Sequence, residues 1–244
     1  NEKYIFENVH HAFKFCILSF TNGGTSAEFR AAFRINPREA ITTDQLEGFL
    51  HSPSDHLQIS VNLVRRLAPD SLSVMEFQRE MDVSIAKKML VYPLLGDTIS
   101  NSWQIRIARE FDMTNDSYLF KTEPKQGRLP LYEGKMFWQF DHRKAEPKYW
   151  LDEEDARRAL RGKRDDSLPL VMDYEMPRLG YREVSASTNE RTMIAAVIPP
   201  KVFCNHKINW ISKTKSHAFE SQEMMFLCGV INSMSFDYQL RQRV

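Results

Sequence analysis

The chain has 244 residues, of which 42% are hydrophobic and 11% aromatic, and its formal net charge at pH 7 is +1. This length and composition support a substantial buried core and exclude a disordered or low-complexity protein. No apolar run approaches the ~18–20 residues that a transmembrane helix needs. Three cysteines without a CxxC pair argue against a zinc site or a disulfide framework, so we expect a cytoplasmic protein with reduced thiols.

The first 100 residues predict two strands and two short helices. The mostly apolar segment Phe13–Phe20 predicts a central strand, and after a turn at residues 21–24 a second strand, Phe29–Ile35, is expected to pair with it antiparallel. Thr42 or Thr43 is expected to cap a helix through Leu50. A second helix is expected from Asp82 to Leu90, stopped by Pro93, with Ile85, Met89 and Leu90 as its buried stripe.

The middle of the chain predicts strands and one charged helix. Trp103–Ile107 alternates apolar and polar residues, as a half-buried strand does. Leu131–Phe140 is expected to form a strand pair with Glu133–Gly134 as its turn or as a bulge. Asp152 is expected to cap a helix over Glu153–Arg161, whose acidic first turn and basic last turn match the helix dipole.

The last third predicts a strand pair and a long helix. Tyr181–Val184 and Met193–Ile198 are interpreted as two strands joined by a tight polar connection, Ser185–Arg191. Glu223–Leu240 is expected to be one long helix. Its buried stripe, at helical spacing, would comprise Met224, Leu227, Cys228, Ile231, Met234 and Tyr238.

Charge is distributed unevenly along the chain. Acidic residues outnumber basic ones in the first 120 residues, and the balance reverses in the second half, most strongly within residues 156–215. A locally basic surface can bind phosphate groups although the whole molecule is nearly neutral. An ordinary solvated surface explains the same distribution, so charge alone leaves the partner open.

Five segments of the chain carry a resemblance to a known family. They are His11–Leu18; Phe111–Phe120; Leu131–Met136 with Phe140–Arg143; Arg182 with Ser187–Thr192; and Cys228–Ser233 with Phe236–Arg241. In this order they resemble the C-terminal part of large bacterial adenine-N6 DNA methyltransferases. That group includes type IIG restriction–modification enzymes and phage-defence methylases of the BREX kind.

The resemblance implies an α+β fold with mixed or antiparallel sheets and a long C-terminal helix. Residues 1–40 would be the tail of a methyltransferase sheet, and residues 41–244 would be a DNA target-recognition domain. Such a domain would bind double-stranded DNA and position the target adenine for base flipping into a catalytic domain that uses S-adenosylmethionine.

The chain departs from the family at the catalytic motifs. The family's Asn/Asp-Pro-Pro-aromatic motif is matched neither by Asn36–Arg38 nor by Ile198–Lys201, and Asn22–Thr25 lies in a hairpin-like context unsuited to a cofactor loop. We therefore expect a piece of a longer enzyme that has no catalytic, metal or cofactor residues of its own and does not methylate DNA alone.

Basic and hydroxyl side chains are the candidates for contact with DNA, because such groups reach phosphates and base edges. We predict Lys135, Arg143, Lys144, Arg161, Lys163, Arg164, Arg182, Ser187, Thr188, Arg191 and Lys207. Alternatively, residues 187–191 satisfy their own backbone, with Asn189 and Glu190 shaping the hairpin, and Arg182 or Arg191 pairs with Glu183 or Glu190. The basic end of the helix at Glu153–Arg161 can equally be solvated and balanced by its acidic first turn.

Two other functions remain open at this level. Asp116, Glu133 and Lys135 can be arranged as a Mg²⁺-dependent nuclease site of the E-x-K type. Asp141–Lys144 is compatible with an acid–base pair, although a surface turn is the simpler interpretation. The C-terminal helix could instead serve a protein-interaction module of a phage-defence complex.

Overall fold

The computed structural model describes residues 6–10, 13, 15–35, 45–97, 99, 103–162, 171–185, 189–213 and 219–243. Within these ranges the fold is α+β, with six α-helices and nine strands in three sheets, as the sequence predicts for the class. Pairing is mostly antiparallel, with one parallel pair. None of the helices in these ranges has the length and hydropathy to cross a bilayer.

The strands are β1 (Glu28–Ala31), β2 (Leu57–Ser60), β3 (Ile105–Ala108), β4 (Arg128–Tyr132), β5 (Tyr149–Asp152), β6 (Arg178–Arg182), β7 (Ala195–Ile198), β8 (Phe203–Cys204) and β9 (Ile208–Lys213). The helices are α1 (Leu46–His51), α2 (Val61–Leu67), α3 (Glu80–Met89), α4 (Glu153–Gly162), α5 (Ser221–Ile231) and α6 (Met234–Arg241).

A four-stranded antiparallel sheet, ordered β3-β9-β6-β7, forms the centre of the fold. Both of its faces are covered, which explains why β7 is entirely apolar. On one face Leu179 packs with α5. On the other, Ile198 and Trp210 pack against Phe137 from the segment after β4.

The predicted strand pair within Leu179–Pro200 is present. β6 and β7 pair antiparallel from Arg178 opposite Ile198 to Tyr181 opposite Ala195. The prediction of a tight connection is wrong, because residues 183–194 lie between the two strands. Contacts with other elements of the fold, rather than a short turn, therefore hold β6 and β7 together.

A three-stranded sheet, ordered β5-β4-β8, packs with α4 around Leu131, Leu151 and Phe203. The predicted strand pair at Leu131–Phe140 is wrong, because the chain leaves β4 through a 3₁₀ turn at Gly134–Met136. The partners of β4 are β5 and β8 instead. The charged helix begins after Asp152 as expected, and the Asp152 carboxylate pairs with Arg128 at 3.1 Å.

The prediction of a central strand at Phe13–Phe20 is wrong. Phe13 and residues 15–20 form no strand and are exposed, Ile17 to 93%. A strand needs a hydrogen-bonding neighbour as well as apolar side chains. The expected neighbour, β1, pairs antiparallel with β2 instead, with Phe29 opposite Ile59.

Two early helices differ from prediction mainly at their first turns. α1 begins at Leu46, and Thr42 and Thr43 lie outside the described residues. Asp82 lies inside the first turn of α3, where its carboxylate accepts hydrogen bonds of 2.9 Å from the main-chain N–H groups of Gln78 and Arg79. The buried stripe of α3 is Val83 and Ala86 rather than the predicted set.

β3 occupies the predicted strand at Trp103–Ile107, with its ends shifted by one or two residues.

A single long C-terminal helix is not present, because the chain breaks between α5 and α6. The Asn232 side-chain amide binds the main chain of Ala195, accepting from its N–H at 3.0 Å and donating to its carbonyl at 2.9 Å. Ser233 then caps α6 by accepting from the Phe236 N–H at 3.2 Å. The predicted stripe is buried at Met224, Leu227, Cys228 and Ile231, but Met234 beyond the break is 77% exposed.

Gly180 and Gly229 should respond oppositely to alanine. A Cβ at Gly180 would overlap Cδ1 of Ile198 and lie 3.0 Å from Cε2 of Phe137, both fully buried, whereas Gly229 on α5 meets nothing within 4 Å. We expect Gly180→Ala to lower the free energy of unfolding by about 1–3 kcal/mol. Gly229→Ala should raise it by about 0.5–1 kcal/mol through helix propensity. Urea unfolding checks both signs, and equal effects would contradict the packing at Gly180.

Candidate nucleic-acid interface

Three connections of the chain meet at one surface beside the central sheet. The Glu183 N–H, just after β6, donates to the Lys207 carbonyl at 3.0 Å. A Cβ at Gly134 would lie 3.3 Å from the same carbonyl and 3.9 Å from Cγ of Arg182, so glycine permits this approach. The Lys144 N–H donates to the Met136 carbonyl at 3.0 Å.

These contacts gather cations that are far apart in the sequence. We use the name basic face for Lys135, Arg143, Lys144, Arg182 and Lys207. All five belong to the DNA-contact residues predicted from sequence. Their common location arises from the hydrogen bonds between connections and could not be seen from the order of residues along the chain.

Trp138 lies against two cations of the basic face. The Lys144 Nζ is 3.7 Å from the centroid of the indole ring, and the Arg182 guanidinium carbon is 5.8 Å from it. Both distances are within the range of cation–π attraction. The half-buried indole therefore holds two positive groups close together.

Arg182 has a structural role as well as a charge. Its guanidinium is half-buried and donates a hydrogen bond to the Phe137 carbonyl. Burial lowers the pKa of Arg182, but an arginine stays protonated at neutral pH. Arg143, Lys144 and Lys207 are exposed and form no salt bridge with any residue that the structure describes. These three are therefore the most available to an external anion.

Carboxylates reduce the positive charge of this surface without cancelling it. Glu133 pairs with Lys135 at 3.0 Å, and Glu183 pairs with Arg109 at 3.3 Å rather than with Arg182. The Asp141 carboxylate accepts the N–H of Arg143 at 2.7 Å, which shapes the turn. Glu133 therefore offsets the charge of Lys135, whereas the side chains of Arg143, Lys144 and Lys207 have no carboxylate partner among the described residues.

The segment at Asp141–Lys144 forms a turn rather than an acid–base pair. His142 Nδ1 is 3.1 Å from the Tyr132 hydroxyl, and the two rings stack. Burial lowers the pKa of His142, and the charge of Arg143 lowers it further. The imidazole is therefore neutral at pH 7 and serves to anchor the turn.

The connection between β6 and β7 is tied to the C-terminal helices. Arg191 donates to the Asn232 carbonyl at 2.7 Å, and Arg241 donates to the carbonyls of Asn189 and Glu190 at 3.0 and 2.9 Å. The predicted pairing of Arg191 with a hairpin carboxylate is thus replaced by a main-chain contact. Asn189 and Glu190 shape the connection, as one interpretation expected, but through their carbonyls.

Of the remaining predicted DNA contacts, the structure describes only Arg191 and Arg161. Arg161 lies at the exposed end of α4, on the three-stranded sheet. Lys163, Arg164, Ser187 and Thr188 lie outside the described residues. Of the other basic residues of α4, Arg157 pairs with Glu175 at 2.9 Å and Arg158 with Asp155 at 3.4 Å, as a solvated helix would arrange them.

The alternative nuclease residues have local partners. Asp116 is buried and its Oδ2 accepts the Asp112 N–H at 2.7 Å, while Glu133 is paired with Lys135. The described part of the chain has no group of three or more His, Cys, Asp or Glu residues able to hold a metal ion. The nuclease hypothesis therefore gains no support and stays a prediction.

No protein-family model matches the chain, and no curated protein matches it. The geometry of the basic face is thus the main guide to function. Sequence reasoning missed Trp138. An available signal was the presence of Phe137, Trp138 and Phe140 a few residues before Arg143 and Lys144, since aromatic and basic residues recur together at nucleic-acid surfaces.

Proposed function

We propose that the chain binds double-stranded DNA through the basic face. It would act as the target-recognition region of a bacterial adenine-N6 DNA methyltransferase of the restriction–modification or phage-defence kind, in the cytoplasm. The observation that carries the proposal is that main-chain contacts bring together the three connections that bear these five cations, two of which lie against Trp138. The five-segment resemblance supplies the class of enzyme.

The basic face has a division of roles that suits a duplex. Arg143, Lys144 and Lys207 are exposed cations on short, well-anchored connections, so they can neutralise phosphates and fix the register of the protein on the helix. Arg182 is held by Phe137 and Trp138 and would present a pre-oriented guanidinium beside them. Phosphate contacts of this kind bind DNA without specifying its sequence.

The sequence does not match the family's catalytic motif for methylation. Gly23 and Gly24 have φ angles of 85° and 90° in an exposed bend that precedes β1, a context that differs from the loop between a strand and a helix that commonly binds phosphate-bearing cofactors. We therefore assign S-adenosylmethionine and the pocket for the flipped adenine to another part of the parent enzyme. This chain would bind the DNA and orient it for the catalytic part of the enzyme.

Neutralising the exposed cations tests the proposal. The variant Arg143→Gln/Lys144→Gln/Lys207→Gln is expected to bind a mixed-sequence duplex at least about tenfold more weakly than the unmodified chain, because phosphate contacts are lost. The slope of log affinity against log salt should fall by about 0.9 for each contact removed. Fluorescence anisotropy over a series of salt concentrations measures both quantities.

The matched control removes the same charge elsewhere. Lys87→Gln/Lys88→Gln/Arg158→Gln changes three exposed cations on α3 and α4 and should leave the slope close to that of the unmodified chain. Equal losses in the two triple variants would mean that net charge, not the basic face, drives binding. Absence of salt-dependent binding by the unmodified chain would overturn the proposal.

A further inference from the structure

Phe140 combines two unfavourable properties at the tip of the turn beside the basic face. Its φ angle is 63°, a left-handed conformation that a bulky side chain adopts only under constraint. Its side chain is 64% exposed to solvent. Neither property benefits the isolated fold, because a glycine or asparagine would suit the same backbone better.

The turn around Phe140 is fixed from several directions. Trp138 and Asp141 exchange main-chain hydrogen bonds of 2.7 and 3.2 Å across it, and the Phe140 N–H donates to the Ala195 carbonyl at 2.9 Å. The Gln139 side chain donates to the Asn232 carbonyl at 3.2 Å. The ring of Phe140 is therefore presented on a rigid support attached to the edge of the central sheet.

The support lies next to the cations. Phe140 follows Trp138 by two residues, and Ala195 adjoins Ile194, whose carbonyl accepts the N–H of Arg182 at 3.0 Å. A duplex whose phosphates contact Lys144 and Arg182 would thus pass close to the turn that carries the exposed ring. Rigid aromatic side chains in this position stack on bases and insert between them.

We propose that Phe140 is a base-stacking wedge, which inserts its ring into the base stack of the bound duplex and occupies the gap left by an unstacked or extruded base. The ligand of this site is the π-face of a nucleobase. The inference rests on the proposed DNA binding and adds a positioning residue to it. The wedge stabilises the opened duplex, while the charged residues hold the backbone.

The test compares an intact mixed-sequence duplex with the same duplex carrying one central abasic site. The unmodified chain should bind the abasic duplex about tenfold more tightly, because the ring fills the gap at no unstacking cost. Phe140→Gly should bring the ratio of the two affinities close to one, and Phe140→Tyr should retain it. Tyr118→Ala, which removes an equally exposed aromatic ring elsewhere, should not change the ratio.

Thermal stability supplies an independent readout. Phe140→Gly should not lower Tm, since glycine adopts a φ of 63° without strain. A fall of several degrees would show that the ring supports the fold and would overturn the wedge proposal. An unchanged affinity ratio in Phe140→Gly would overturn it also, while leaving DNA binding by the cations intact. If Arg143→Gln/Lys144→Gln/Lys207→Gln leaves both affinities unchanged, the proposed function itself fails and the wedge fails with it.

Discussion

Glu110→Gln is expected to lower the free energy of unfolding by about 3–5 kcal/mol, the usual cost of removing one partner from a buried ion pair. Glu110 and Arg178 are buried and joined through Oε1 and a guanidinium nitrogen. Burial raises the pKa of the Glu110 carboxyl, and the charge of Arg178 opposes that rise. Without the carboxylate, Arg178 would retain a buried charge whose partner is gone.

The pair has a large expected effect because it joins the two main sheets. Glu110 follows β3 and Arg178 begins β6, both in the four-stranded sheet. Their remaining hydrogen bonds reach the start of β8 in the other sheet: Glu110 accepts from the Cys204 N–H at 2.7 Å, and Arg178 donates to the Val202 carbonyl at 2.6 Å. Loss of one side chain therefore loosens the contact between sheets.

Urea unfolding of single and double variants isolates the pair. Arg178→Met should cost as much as Glu110→Gln, and the double variant should be less destabilised than the sum by about 2 kcal/mol, because no unpaired charge remains. The exposed pair of Arg158 and Asp155 is the control, and Arg158→Met should change stability by less than about 0.5 kcal/mol. Strict additivity in the double variant would contradict a coupled pair.

The sequence predicted the elements whose partners are local or strongly patterned. The β6–β7 pair follows from a segment of alternating polarity and an apolar run, and α4 follows from the charge order of Glu153–Arg161. Prediction from the sequence failed where contact with a distant residue determines the local structure. The break at Asn232 depends on Ala195, and the exposure of Ile17 depends on β1 pairing with β2, and neither is visible in a local period.

The candidate site shows the same limit. The residue types suited to phosphate were visible, but their grouping depends on main-chain contacts such as that between Glu183 and Lys207. Arg191, a predicted DNA contact, also donates to the Asn232 carbonyl, because carbonyls at a helix end accept hydrogen bonds from a guanidinium. The charge of a residue identifies it as a candidate for binding phosphate. Its contacts in the folded protein show whether it also has a structural role.

Asp237→Ala is expected to lower the free energy of unfolding by about 2–4 kcal/mol, because one buried carboxylate satisfies several donors. Its Oδ1 accepts the N–H groups of Thr192 and Met193 at 2.8 and 2.6 Å, and its Oδ2 accepts from Arg241 at 3.1 Å. Alanine would leave the Thr192 and Met193 N–H groups without this acceptor and would remove one of several acceptors of Arg241. Asp237→Asn keeps one oxygen and should cost about half as much.

The destabilisation caused by Asp237→Ala should be largest in the connection that leads into β7, because Asp237 fixes this connection. Hydrogen exchange should accelerate most at the amides of Thr192 and Met193, and urea unfolding should report the total change. Ser235→Ala, at an exposed position of the same helix, should alter neither. Protection of Thr192 and Met193 that survives in Asp237→Ala would mean that strand pairing, rather than the α6 carboxylate, orders the start of β7.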